Sequence, residues 1–326
     1  MTNQSIQSVG EFEYGLEVSR EVFGFEIEFH IPDGDVKISF PRVNGVFAGF
    51  NEVVEQPSGM KFEFGVRDSN VPSHIPDNTW GMSISDSPND AGLPLLTTGY
   101  IYKYLISVEI QKVGNAKTER ELIDEAKLVF SRVIDWFEIL SEQDVSNGSA
   151  PISRGKVTMI WGGSAALGSP PAIDANCSAR IVIEGRALTL DNLKQAVEFH
   201  KLEREPDPSS ILLRDSRRAF HKQYFRESFL LSGVAAEIKM VRYLLKEIDL
   251  GKNVGISAYK LQNSAGLGEI FSYWKSTTGD ELIGNVTLNS KLRNDVAHRG
   301  VFASLEQALD FYLECATIIL KTEELN

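Results

Sequence analysis

The apolar residues of this chain change their period part-way along, and that change decides what each part can fold into. Phe12, Tyr14, Leu16 and Val18 alternate with polar neighbours, and Phe23, Phe25, Ile27, Phe29 and Ile31 do so without a break. After the turn signal Pro32-Asp33-Gly34-Asp35 the pattern resumes in Val36, Ile38 and Phe40, and again in Met60, Phe62 and Phe64. Period two puts successive side chains on opposite faces of an extended strand, so these runs predict an antiparallel meander with one face buried. Further strand-like runs occur at 79–85, 100–110, 156–161 and 180–188.

Two helices interrupt the strands. Residues 119–140 carry Leu122, Ile123, Ala126, Val129, Phe130, Val133, Ile134 and Phe137 at steps of three and four. Thr189, with Asn192 three residues on, opens a second helix towards His200. Loops are expected at 145–154 and 162–171, which are rich in Ser, Gly and Pro. The boundary lies in Glu203-Arg204-Glu205-Pro206-Asp207-Pro208-Ser209-Ser210, a charged stretch broken by two prolines. Beyond it the period is helical throughout. Ile211, Leu212, Ser216, Ala219 and Phe220 line a first helix. Phe229, Leu230, Gly233, Val234, Glu237, Ile238, Val241, Leu244 and Leu245 line a long second one. Residues 258–274 read as a third helix and 282–297 as a fourth. The last opens with Ser304 and Gln307 in capping-box spacing and runs through Leu305, Ala308, Leu309, Tyr312, Leu313, Ala316, Ile319 and Leu320. The expectation is an α+β, antiparallel β-rich domain over 1–207 and an all-α bundle over 208–326.

Charge separates the same two parts. Residues 208–326 hold 15 Lys+Arg against 14 Asp+Glu, leaving 18 basic and 31 acidic residues in 1–207. The first part, at −13, is a poor surface for tracking phosphates, so nucleic acid is expected at the second. No apolar run is long enough to cross a bilayer, and the start Met1-Thr2-Asn3-Gln4-Ser5 lacks a signal-peptide pattern. Cys177 and Cys315 are isolated, which argues against a disulfide framework or a thiolate zinc site. A cytoplasmic protein with no membrane association and no metal or other cofactor is expected.

One segment concentrates chemistry. Arg293-Asn294-Asp295-Val296-Ala297-His298 brings a fixed cation, a carboxamide and a titratable imidazole within six residues. Arg presents a planar fork suited to phosphate oxygens, and His exchanges protons near neutral pH. On a continuous helix Asn294 and His298 are offset by about 40° and share a face, whereas Arg293 and His298 are about 140° apart. The Arg must reach round, or the helix must end near His298, or a second subunit must supply a group. Gly300 stands where a helix C-cap falls. The plainer reading is a helix end whose Arg293, His298 and Arg299 offset the helix dipole.

The region 208–326 resembles the HEPN superfamily. The likeness is carried by the stretch from Leu212 through Arg217, Arg218, Tyr224 and Phe229 into Gly233-Val234-Ala235-Ala236-Glu237, similar to that family's paired opening helices. It is carried also by Arg293-Asn294-x-x-x-His298, similar to the family's R-x(4–6)-H signature. The resemblance implies an up-and-down bundle that homodimerises so that two motifs face one cleft. It implies a metal-independent endoribonuclease leaving a cyclic phosphate, in anti-phage defence or a toxin–antitoxin system. His298 would be the general acid/base, Arg293 the phosphate ligand and Asn294 the positioning group. Glu237, on the small-residue stripe, would orient Arg293 or His298, or form a plain ion pair. By analogy with defence proteins, 1–207 would be a sensor or regulatory domain that meets a trigger or antitoxin.

Two alternatives stand beside this. Many family members are silent and only dimerise or bind RNA or another ligand; a third reading, behind both, is a small-molecule-binding regulator whose chemistry lies wholly in the β-rich part. Other features read as structural. Gly162-Gly163-Ser164-Ala165-Ala166-Leu167-Gly168-Ser169 lacks the lysine of a P-loop. Asp77, Asp86 and Asp90 lack calcium-loop spacing. Tyr273-Trp274 is expected in the core, His30 at a strand end, His74 in a loop, and His200 and His221 in solvent.

Overall fold

The computed structural model describes residues 5–44, 53–55, 57, 80–84, 98–110, 117–145 and 186–325. Its strands are β1 (Ser5–Ser19), β2 (Glu26–Ile31), β3 (Gly34–Ser39), β4 (Arg42–Asn44), β5 (Val53–Glu55), β6 (Gly81–Ile84) and β7 (Thr98–Ile110). The helices are α1 (Glu119–Ser141), α2 (Leu190–Lys201), α3 (Pro208–His221), α4 (Phe225–Asp249), α5 (Ala258–Asn263), α6 (Leu267–Thr278), α7 (Glu281–Gly284), α8 (Ser290–Arg299) and α9 (Leu305–Glu324). Among the described residues no helix is long and apolar enough to cross a membrane. Chain contacts group residues 1–148 and 184–214 into one compact unit and 215–326 into another, with the division inside α3 after Arg214. The expected runs at 60–64, 156–161 and 162–171, with His74, Asp77, Asp86, Asp90 and Cys177, lie outside the described residues.

The first unit is an antiparallel sheet under two helices, as the α+β reading expects. Its strand order is β1-β7-β3-β2. This corrects the simple meander: β7 inserts between β1 and β3, so the sheet closes only when the chain returns from residue 98. One edge of β7 pairs with β1, and the other is shared by β3 at 105–110 and β6 at 98–101. The period-two signal is clearest in β2, where Ile27, Phe29 and Ile31 are buried and Glu26, Glu28 and His30 exposed. The alternation does not run unbroken from Phe23, because a 3-10 turn at Arg20–Val22 and Gly24 at φ +75° separate β1 from β2. Of 180–188, only 186–188 are described, and there Leu188 forms an isolated bridge to Val18.

The sheet's apolar face meets Leu122, Ala126, Phe130, Val133 and Phe137 of α1 and Leu193 and Ala196 of α2 in one core. Both helices begin where the sequence places them. Thr118 and Glu121 form a reciprocal capping box on α1, and Thr189 accepts from the Asn192 amide on α2. Gly10 faces Tyr104 across the β1–β7 ladder, and a Cβ there would clash with the hydroxyl end of the Tyr104 side chain. Burial around Tyr104 pushes its phenol up to about 12. Arg214 anchors the end of this unit to Asp135 (2.7 Å) and to the fully buried Glu138 (3.8 Å).

In the second unit α4 and α9 pack along their lengths. Ser228, Ser232, Gly233, Ala235 and Ala236 bring the backbones close, and the Phe229 and Phe311 rings stack with centroids 4.0 Å apart. The helix expected over 258–274 is two helices, because Ser264 ends α5 and Gly266 takes up an extended conformation as the cap of α6. The helix expected over 282–297 is also two. Gly284 and Asn285 end α7, and the Asn289 side chain caps α8 by accepting from the Leu292 amide (3.2 Å). Trp274 is in the core as expected. His221 is buried rather than solvated, and His200 in the first unit is half-buried beside Phe29.

Candidate active site

Helix α8 is held at its ends more than by its faces. Asn289 caps its start, and Gly300 turns the chain at φ +67° with its amide donating to the Asp295 carbonyl. A left-handed C-cap at little steric cost needs glycine there. Of its ten residues only Val296 is buried. The face carrying Arg293 and Val296 looks to α4, whereas Asn294 and His298 are exposed, as their shared helical face requires.

Arg293 bridges the two faces. Its stem passes Gly233 of α4, where a Cβ would stand 3.5 Å from the Arg293 Cγ and 3.2 Å from the Phe311 ring. Its Nη2 lies 3.7 Å from Glu237 Oε2, and its Nη1 donates to Asn294 Oδ1 at 3.4 Å. Both contacts are long for a charge-assisted bond, whose usual span is about 2.7–2.9 Å. Its Nε is buried and, among the described residues, has no hydrogen-bond partner. The guanidinium is therefore placed and turned towards Asn294 with donor capacity left over. The contact with Asn294 turns the guanidinium towards the face that Asn294 shares with His298.

His298 is exposed and makes no hydrogen bond among the described residues. Glu237 pairs with Arg293, so of its two expected partners the cation is the one engaged. Arg299 pairs with Asp295 one turn back at 3.2 Å. The site thus brings together Glu237, Arg293 and Asn294 and leaves His298 on the same exposed face as Asn294, unattached.

Sequence reasoning missed the role of Gly233. It counted the residue in an apolar stripe, yet its missing side chain is what lets Arg293 and Phe311 lie against α4. Arg217 enters the sequence reading only through the family likeness, with no place assigned to it in the core. It is 2% exposed and donates to the Tyr312 hydroxyl at 3.5 Å, and a charged residue outside the apolar stripe of α3 gives no local sign of such burial.

In chemical terms the arrangement offers a half-buried cation with long contacts, next to an exposed face that carries an amide and an imidazole. Comparison with protein-family models, curated proteins and solved structures finds no match to this chain. What the site does is therefore read from its own residues.

Proposed function

We propose that the protein is a metal-independent endoribonuclease of the HEPN type, working in the cytoplasm in anti-phage defence or a toxin–antitoxin system. The observation that carries this reading is the Arg293 guanidinium, held by long contacts alone and turned towards Asn294, on the exposed face that Asn294 shares with His298. An arriving phosphodiester would accept from Nη1 and Nη2, whose contacts to Asn294 and Glu237 are long, through the paired oxygens that the planar fork fits.

Cleavage then follows from proton transfer and charge neutralisation. An imidazole takes the ribose 2′ proton, and the 2′ oxygen attacks phosphorus. Arg293 and Asn294 donate to the oxygens of the phosphorane. The bond from phosphorus to the 5′ oxygen breaks, and an imidazolium protonates that oxygen. One imidazole is poorly placed to act on both sides of the phosphorus, so the active form is a homodimer through residues 208–326. The exposed Leu313 and Leu320, on one face of α9 with half-buried Leu309, offer apolar surface for such a contact. The acidic first unit, which phosphate would avoid, is the sensor or regulatory part that meets a trigger or antitoxin.

The test is the chemistry of the cut ends. Transesterification yields a 2′,3′-cyclic phosphate and a 5′ hydroxyl; products with a 5′ phosphate would overturn the reading. The second reading, a silent bundle that dimerises or binds RNA or another ligand, is favoured by the Glu237 carboxylate already beside Arg293. It predicts RNA binding without any cut.

A further inference from the structure

The connection from α8 to α9 is short and tied at both ends. Gly300 turns the chain, the Val301 amide donates to the Asp295 carbonyl at 3.4 Å, and Ala303 is buried. Ser304 and Gln307 then form the capping box of α9, with hydrogen bonds of 2.9 and 3.2 Å. Between these ties Phe302 stands 85% exposed and Val301 41%. Single apolar residues at a surface are common. This one exceeds every other large exposed hydrophobic among the described residues and follows directly on the candidate site. It stands four positions after His298, so their Cα atoms lie at most about 14 Å apart. Arg299, three-quarters exposed, stands between them.

We infer that Phe302 positions the RNA, by stacking on an unpaired base next to the phosphate held at Arg293 and His298. The inference rests on the ribonuclease reading. Charged groups alone would grip any phosphate of a strand equally and leave its register undefined. A ring on an anchored connection fixes the register, because every base has a face to stack on once it is free of a duplex. The loop's two ties remove most of the ordering cost that a mobile loop would carry. The expected preference is for single-stranded segments, with tolerance in base identity.

The experiment uses the full chain with His298→Ala, so that RNA is bound and not consumed, and a short end-labelled single-stranded RNA read by fluorescence anisotropy. Phe302→Ala should weaken binding on the order of tenfold, and Phe302→Trp should restore it. With His298 intact, Phe302→Ala should raise KM while leaving kcat nearly unchanged. Equal affinity of the Ala and wild-type forms would overturn the inference. So would rescue by Phe302→Leu, which keeps apolar bulk without a ring face. Loss of a dimer in light scattering on Phe302→Ala would also overturn it, assigning the ring to a contact between copies. If the wild type cuts RNA and Phe302 has no effect, only this inference fails. If the wild type neither binds nor cuts, the ribonuclease reading fails with it.

Discussion

Strand β2 and helix α8 spend their residues in opposite ways. Three of the six residues in β2 are buried, at every second position, and the strand exists because that face is covered. Only one of the ten in α8 is buried, and the helix exists because Asn289 and Gly300 close its ends and Arg293 ties it to α4. A segment that contributes little packing and still gathers Arg, Asn and His is free to be shaped by what it binds. The difference teaches where changes should fall on stability and where on activity.

The comparison is sharpened most by paired stability measurements. Phe130, fully buried under the sheet, should lose about 3–5 kcal/mol on Phe130→Ala, whereas His298→Ala should stay within about 0.5 kcal/mol of wild type. Urea unfolding of the two variants checks this; equal losses would break the comparison. Next in size is Gly10→Ala, where the new methyl meets the Tyr104 ring and either β1 or the ring must move. A loss of about 1–3 kcal/mol is expected, recovered in part by Tyr104→Leu in the same chain.

A smaller effect should show how α8 is held. Asn289→Ala removes the side-chain acceptor for the Leu292 amide and should cost about 1 kcal/mol, while Asn289→Asp or Asn289→Ser should keep most of it. Hydrogen exchange at the first amides of α8 would report the change locally; unchanged protection there would show that the cap contributes nothing.

Much of this was legible in the sequence, and the misses have physical causes. The alternation in β2 and β3, the apolar spacing of α1 and the caps at Thr189 and Ser304 are local signals, and they predicted strands and helix starts at the right residues. The central place of β7 was hidden, because pairing between residues far apart in the chain leaves no periodic trace. The splits at Gly266 and Asn289 were overlooked although both residues are ordinary helix caps; a continuous apolar spacing masked them. For the site, the spacing of Asn294 and His298 gave their common face. The route of Arg293 past Gly233 depends on packing between α4 and α8, which no single segment encodes. His221 and His200 were placed in solvent because a lone histidine carries no sign of what will cover it.

The smallest expected effect is a pH response in the first unit. Burial lowers the pKa of His200, and the nearby Arg132 adds to this, against a smaller opposing effect of Glu203. The folded form therefore prefers the neutral ring. The stability this contributes is present above the ordinary value near 6.5 and is lost as pH falls through the lowered one. His200→Gln should flatten the fall in melting temperature on the acid side of that value; an identical fall in both proteins would assign the response to other groups.

The central claim, that α8 carries a metal-independent nuclease site, is tested most directly by incubating the full chain with RNA in EDTA beside folded His298→Ala. The account predicts cleavage by the wild type and a loss of about 10²–10⁴ in rate for the variant, at matching melting temperatures. Cleavage abolished by EDTA, or a variant that cuts as fast as wild type, would contradict it.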